Sequence, residues 1–340
     1  MKEYNVIYRE VKKILSPVYL VGGSVRDIIL GREPKDYDFC CPHNPDEIED
    51  LIKKSLNEHC DHRKSYNVGK KFGTLGCKVL GHDVEITTFR KEKYSHNNRK
   101  PEVEFVKDIT ADLSRRDFTI NAIAYRDGRF IDPHCGRMDI ISNKIKAVGE
   151  PKQRIKEDPL RMLRCARFAS QLGFEVDQYL FGNISKCAYK ILHISKERWM
   201  QELDKILLSD NPIPGLDILM DTGLLKFIIP ELSLQKDYDQ NNSHHKHDLW
   251  THTKLTVDAT PPDINMRWAA LLHDIAKPFT AFTKRRSTHY YYHDYLGGDI
   301  VERIGRHLKW SNDRRMVVKD LVLNHLSVHS ELRQYDISAH

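Results

Sequence analysis

Two aspartates two positions apart, Asp36 and Asp38 in "KDYDF", end an apolar run, and "LVGGSVRD" just upstream sets Gly22 and Gly23 before Ser24 and Arg26. Side chains at i and i+2 of a strand share a face, so the two carboxylates are expected side by side. Carboxylates that close repel, and a bound divalent cation is the usual resolution. A glycine turn running into a helix start offers backbone N–H groups and the positive end of the helix dipole to a phosphate. Arg26 would add a cation one turn in. A phosphate cradle beside a cation-binding pair points to chemistry on a nucleoside triphosphate. A plain strand–turn–helix with a solvated aspartate pair fits the same residues. Glu85, in "DVEITTF", is a charge inside a strand pattern. It faces solvent in the ordinary case; if its strand lies beside "DYDF", it makes a third carboxylate of a two-cation site.

The elements that must position these groups follow from the pattern. Residues 3 to 15 read as a helix stopped by Pro17. "VYLVGG" reads as a buried strand, and "SVRDIILG" as a helix with Ser24 as N-cap and Gly31 as its stop. "KDYDFCCP" is the next strand, "PDEIEDLIKKSLNEH" a helix, and "GTLGCKVLGHDVEITTFR" a hairpin. "EVEFVKD" and "FIDPHCG" are shorter strands. After Gly149 the chain reads as helical, beginning with the basic stretch "KQRIKEDPLRMLRCARFASQLGF".

"LVGGSVRD", "KDYDF", "EITTFR", "RRDFTINAIAY", "DPHCG" and "EDPLRMLRCARF" stand in the order seen in the bacterial-type (class II) tRNA nucleotidyltransferase and poly(A) polymerase family, and roughly residues 15 to 235 resemble it. The resemblance implies an α+β fold. A polymerase-β-like head with a small mixed sheet (1–145) would precede an all-α neck and body (146–235) and an all-α HD-like domain (236–340). It implies two Mg²⁺ ions on Asp36, Asp38 and Glu85, and nucleotide contacts from Gly22, Gly23, Ser24, Arg26, Arg115, Arg116, Asp117 and Asn121. Its activity would be addition of the 3′-terminal CCA of tRNA from CTP and ATP. Relatives that add only cytidine have a shortened loop where this chain carries the polar residues 91–107, and no shortening is visible here.

Asp158 and Arg161 are expected as i, i+3 neighbours on one helix face, with Arg164 and Arg167 extending a basic stripe. A helical salt bridge accounts for that spacing. The resemblance implies instead a base reader. A carboxylate accepts from the exocyclic amine of cytosine or adenine and opposes the carbonyl of uracil or guanine. The arginine donates to a ring acceptor.

A second constellation lies in "HHKHDLWTHTKL", "WAALLHDIAKP" and "NHLSVH". His252 with the adjacent His273 and Asp274 resembles the HD phosphohydrolase superfamily, implying a second divalent metal, with His293 and His325 as possible further ligands. Leu326 and Ser327 follow His325 where the stricter pattern has an aspartate. His244, His245 and His247 read as a polar connector.

The 340 residues carry 40% hydrophobic and 30% charged residues and a net charge of +6, an ordinary globular composition that permits a phosphate-rich partner. Seven cysteines without a C-x-x-C pair read as reduced thiols of a cytoplasmic protein. The N-terminus lacks the apolar core of a signal peptide, and no run is long enough to span a membrane. The expected partners are the tRNA 3′ end, ATP and CTP. The rival readings are a poly(A) polymerase, an HD phosphohydrolase with a nucleotide-binding head, and a non-catalytic RNA-binding protein.

Overall fold

The structure, a computed structural model, describes residues 3–55, 66–93, 102–239, 248–284 and 287–326. Two compact units form, one from Met1–Asp158 with Glu175–Leu180 and the other from Pro159–Phe174 with Phe181–His340.

The first unit opens with α1 (Glu3–Ile14), whose apolar stripe buries Ile7, Tyr8 and Val11. Next come β1 (Tyr19–Val21), α2 (Gly23–Ile29), β2 (Tyr37–Cys41) and α3 (Pro45–Ser55). Tyr8 of α1 stacks on Phe39 of β2 with ring centroids 6.4 Å apart. They are followed by β3 (Tyr66–Gly69), β4 (Thr74–Val79), β5 (His82–Thr88), β6 (Arg90–Lys93) and β7 (Glu102–Phe105). The expected hairpin is β4–β5. The lysine-rich loop is partly regular: β6 and β7 pair as an antiparallel ribbon, and residues 94–101 between them lie outside the described ones. The unit continues with α4 (Ile109–Ser114), β8 (Ala124–Arg126), β9 (Arg129–Ile131), α5 (Gly136–Ile141), β10 (Lys144–Ile145) and α6 (Pro151–Glu157).

Seven strands make one mixed sheet in the order β3-β4-β5-β2-β1-β8-β9. Every described pair in it is antiparallel except β2 with β5, whose parallel pairing uses the long connection through α3, β3 and β4. Val84, Ile86 and Thr88 of β5 are buried and alternate with the outward Asp83, Glu85 and Thr87. Val21, Cys40, Phe89, Leu113, Ala122, Ala124 and Val148 make a core cluster of this unit.

Among the described residues the second unit is helical apart from one hairpin. It holds α7 (Arg161–Leu172); the chain then re-enters the first unit as β11 (Glu175–Val176), parallel to β10, and leaves along α8 (Gln178–Cys187). Then come α9 (Lys196–Leu207), α10 (Ile213–Asp221), α11 (Leu225–Ile228), α12 (Pro230–Ser233), α13 (Leu249–Ala259), α14 (Ile264–Leu272) and α15 (Lys277–Thr280). The hairpin of β12 (Phe282–Lys284) and β13 (Ser287–His289) precedes α16 (His293–His307) and α17 (Asn312–Leu323). Buried Trp268 and Trp310 meet edge-on at 5.0 Å. The helix expected through "EDPLRMLRCARF" is interrupted: α6 ends at Glu157 and α7 starts at Arg161. Pro159 drives the residue before it out of the helical region, and Asp158 sits at φ −142°, ψ 101°.

Candidate functional site

The parallel register of β2 and β5 sets Asp38 directly opposite Glu85. Asp38 is half-buried, whereas the flanking Tyr37 and Phe39 are buried, so Asp38 is the polar interruption of an otherwise covered strand. Asp36 lies in the bend just before β2, not on the strand, and is exposed. Burial pushes the Glu85 carboxyl up from its ordinary value, and the charges of Asp38 and Asp36 push it further. Three carboxylates therefore feel one another at the middle of the sheet, as the Glu85 expectation required. An all-oxygen acidic donor set of this kind suits a hard divalent cation.

Ser24 is not the N-cap expected of it. Gly22 occupies that position, with φ 68°, and α2 begins at Gly23. Ser24 lies inside the helix, where its Oγ donates to the Asp36 carbonyl at 2.9 Å and accepts from the Asp38 N–H at 3.0 Å. The hydroxyl thus fastens α2 to the bend that carries Asp36 and to the start of β2, which carries Asp38. Gly22 also makes room: a Cβ there would lie 3.1 Å from Arg116 Nη1 and 3.3 Å from Asp38 Oδ2. A side chain would meet both the positive φ and those two charged groups.

Around these carboxylates the motif residues form a linked network. Arg26 Nη1 donates to Asn121 Oδ1 at 3.0 Å, and Arg26 also pairs with Asp27 at 2.7 Å. Asn121 and the Phe118 N–H both donate to Asp117 Oδ1, at 3.4 and 2.8 Å. Asp112, which the sequence reading left out, holds the two arginines of the motif. Fully buried, it accepts from Arg115 at 2.8 Å and Arg116 at 3.2 Å. Burial opposes its charge, but the two guanidinium groups outweigh it and hold the Asp112 carboxyl below its ordinary value. Glu92 of β6, also missed, accepts from Arg115 at 3.0 Å and ties the β6–β7 ribbon to the motif. Helical i+3 and i+4 spacing from Asp112 to Arg115 and Arg116 is the signal that could have found it.

Asp158 is the C-cap of α6, and Arg161 is the first residue of α7, so the shared helix face expected for them does not form. Arg161 is buried and Arg164 half-buried. Arg167 is buried against Glu202 at 3.0 Å, with its guanidinium over the Phe168 ring at 4.4 Å. That pair accounts for the burial of Arg167 within the helical unit.

In the second unit the expected histidines and aspartate come together around one carboxylate. His252 stands one turn into α13, and His273 caps the apolar α14. Asp274 Oδ2 lies 3.0 Å from His273 Nε2 and 3.4 Å from His252 Nε2. Asp274 Oδ1 lies 3.3 Å from His293 Nε2 and 3.8 Å from His325 Nε2. His252, His273 and Asp274 form one candidate ion-binding group; Asp274, His293 and His325 form another. The Nδ1 atoms of His273, His293 and His325 sit 2.8, 2.6 and 2.6 Å from the carbonyls of Ala270, Tyr290 and Val322. A carbonyl only accepts, so each Nδ1 carries a proton, and each Nε2 is turned inward toward Asp274. The Nε2 atoms of His293 and His325 are 3.2 Å apart. His244, His245 and His247 lie outside the described residues. Lys277, another residue missed, places its buried Nζ 2.8 Å from Asp274 Oδ2. Burial opposes the charge of Asp274, but its histidine neighbours outweigh that and hold it well below the ordinary value.

Three family models match the chain in order. The poly A polymerase head domain covers residues 18–146, the probable RNA and SrmB-binding site of polymerase A covers 173–235, and the HD domain covers 252–339. A curated relative, the CCA-adding enzyme of Lactococcus lactis subsp. cremoris, is 36% identical over 261 residues, which are 75% of this chain and 59% of the relative. The CCA-adding enzyme of Ligilactobacillus salivarius is 39% identical over 223 residues, 65% of this chain and 53% of the relative. The chain spans between half and two thirds of the length of the curated relatives it matches. Among solved structures, the Bacillus stearothermophilus CCA-adding enzyme in complex with CTP aligns with TM-score 0.64 and 26% identity, over 99% of this chain and 83% of that one. The Thermotoga maritima CCA-adding enzyme complexed with tRNA, 19% identical, shares the fold at TM-score 0.58, over 95% of this chain and 79% of that one. No described helix is long and apolar enough to cross a membrane.

Proposed function

Because residues 18–146 match the poly A polymerase head domain, we propose that the chain is a cytoplasmic nucleotidyltransferase that builds or repairs the 3′-terminal CCA of tRNA, taking CTP and ATP and releasing pyrophosphate. The observation that carries this reading is the β2–β5 register, which sets Glu85 beside Asp38. The names of the relatives supply the substrate class.

Asp36, Asp38 and Glu85 would hold two Mg²⁺ ions. Bound there, such ions activate the attacking 3′-hydroxyl and offset charge on the leaving pyrophosphate. The chain's own residues do the rest. Arg116, kept charged despite its burial by Asp112 and Asp38, adds a fixed positive charge beside the carboxylates. Gly22 keeps that approach open. Arg26, held by Asn121, and Arg115, held by Asp112, are the proposed partners of the triphosphate and ribose. As proposed readers of the incoming base, Asp158 accepts from an exocyclic amine and Arg161 donates to a ring acceptor. The helical unit would bind the acceptor stem by backbone and shape. Its histidine–aspartate centre, with imidazole and carboxylate donors, would take a borderline transition metal.

The test is product length. A tRNA lacking its last three nucleotides should grow by C, C and A and stop, and an unstructured RNA should stay unextended. A long adenosine tail on either RNA would instead make the chain a poly(A) polymerase.

A further inference from the structure

We propose that Arg154 is a positioning residue for nucleotide choice. It fixes Asp158 at the end of α6 relative to the arginines of the head motif, so that one nucleotide meets both. This rests on the reading of Asp158 as a reader of the base and of Arg115 as a partner of the triphosphate and ribose.

Two different helices set these groups. Arg115 is the C-cap of α4, and Asp158 is the C-cap of α6. Arg154 joins the two ends. Its Nη1 donates at 3.1 Å to the carbonyl of Ser114, the last residue of α4 and 40 positions away in sequence. Carbonyls at a helix C-terminus have no partner within the helix, so this one takes its donor from α6. Arg154 Nη2 pairs with Glu157 at 2.7 Å. The Arg154 carbonyl accepts from the Asp158 N–H at 3.3 Å. From reader to motif the path runs Asp158, Arg154, Ser114, Arg115, and each link is a hydrogen bond or a peptide bond. Arg115 is itself held by Asp112 at 2.8 Å.

The pair with Glu157 taken alone is an ordinary i, i+3 bridge that adds little to a helix. It does not account for the bond to Ser114. A guanidinium presents its N–H groups as a rigid fork, so holding Glu157 on one prong fixes where the other prong points. The Arg154 and Glu157 side chains are 19% and 9% exposed, whereas Lys156, the other cation of the last turn, faces solvent. Pro151 and Ile155 are buried and dock α6 by their own packing. The fork therefore acts on the last turn of the helix. There Pro159 has already forced Asp158 out of the helical region, and the helix ladder alone does not fix its carboxylate. A carboxylate that tells an amine from a carbonyl by hydrogen bonding must be held at the right place relative to the rest of the bound nucleotide.

The test measures kcat and KM of the full chain for CTP and UTP on tRNA lacking its CCA end, in the wild type, Arg154→Ala, Arg154→Lys, Asp158→Ala and the double variant Arg154→Ala with Asp158→Ala. Arg154→Ala should lower the CTP-to-UTP ratio of kcat/KM about tenfold, the weight of one charge-assisted hydrogen bond. Inhibition by inorganic triphosphate should stay at the wild-type level, because Arg115 and Arg116 keep Asp112. Arg154→Lys keeps the charge without the fork and should lose the ratio as the alanine does, while retaining the wild-type melting temperature. In the Asp158→Ala background, Arg154→Ala should lower the ratio no further, since it acts through Asp158. A wild-type ratio in Arg154→Ala overturns the proposal, and so does a ratio restored by lysine. Additive losses in the double variant, weakened inhibition by triphosphate, or equal loss for CTP and UTP in both Arg154 variants overturn it too. Failure of the base-reader reading shows separately, as a wild-type ratio in Asp158→Ala, and failure of the head reading as absent CMP incorporation by the wild-type chain. Either removes the proposal with it.

Discussion

The two acidic clusters are assembled in opposite ways. In the head, Asp38 and Glu85 are neighbours because two strands pair in one register, and Asp36 joins from an exposed bend. In the helical unit a single carboxylate, 2% exposed, draws in four histidines from four separate places in the sequence. The head centre is a cluster of like charges, and Glu85 is pushed up by burial and then by its neighbours. The histidine centre compensates its carboxylate internally with imidazoles and Lys277. In the proposed reading, a site of the first kind takes cations together with a triphosphate. A site of the second kind is organised before anything binds, its rings oriented by backbone carbonyls.

That contrast predicts where substitutions hurt. Asp36→Ala and Asp38→Ala should each abolish nucleotide addition, removing several kcal/mol of transition-state stabilisation, on the order of a thousandfold or more in rate, with the fold retained. Steady-state incorporation of labelled CMP and circular dichroism check both halves; full activity with Mg²⁺ in either variant would remove the carboxylate assignment. Asp112→Ala should instead damage the fold of the head. It leaves two arginines without their shared buried partner and should cost about 3–5 kcal/mol. Hydrogen exchange across residues 109–126 reports it, and unchanged protection there would show that the pairs are dispensable. The pH sign follows from the lowered Asp112 value. Its stabilisation is fully present above the unfolded carboxylate range and is lost as pH falls through the folded value. The alanine variant should therefore lack the acid limb of the wild-type protection profile.

A smaller effect is expected at the base reader. Asp158→Ala should let UTP and GTP compete with CTP and ATP, a change of about 1–3 kcal/mol in discrimination. Arg161→Ala should weaken all four nucleotides more evenly. The ratios of kcat/KM for the four nucleotides decide it. If Asp158→Ala rejects UTP as the wild type does, Asp158 is only a helix end. The smallest effect on addition belongs to the other centre. His273→Ala and Asp274→Ala should abolish Mn²⁺ binding at the histidine cluster, read by calorimetry, and leave CMP incorporation within about twofold.

The legibility of each centre in the sequence follows from how it is built. The i, i+2 spacing of Asp36 and Asp38 is local, and so is the His273–Asp274 step. Glu85 was ambiguous because only the order of strands decides whether an outward charge on β5 has company. Ser24 is not the N-cap because Gly22, free to take a positive φ, starts the helix two residues early and turns the hydroxyl inward. Asp158 was placed on a helix that Pro159 forbids it to join. Asp112 escaped because its role is to hold motif residues while lying outside the motif. His293 and His325 could be named as candidates but not placed, since only the helical packing brings them to Asp274.

Glu85 carries the sharpest test, because its role depends wholly on the sheet. Single-turnover incorporation of CMP from labelled CTP into tRNA lacking its CCA end should be measured for the wild type and for Glu85→Gln at the same Mg²⁺ concentration. The carboxylate centre predicts a fall of about a hundredfold or more with tRNA binding retained. A Glu85→Gln rate equal to the wild type would contradict it, and would leave Glu85 a solvent-facing residue on an ordinary strand.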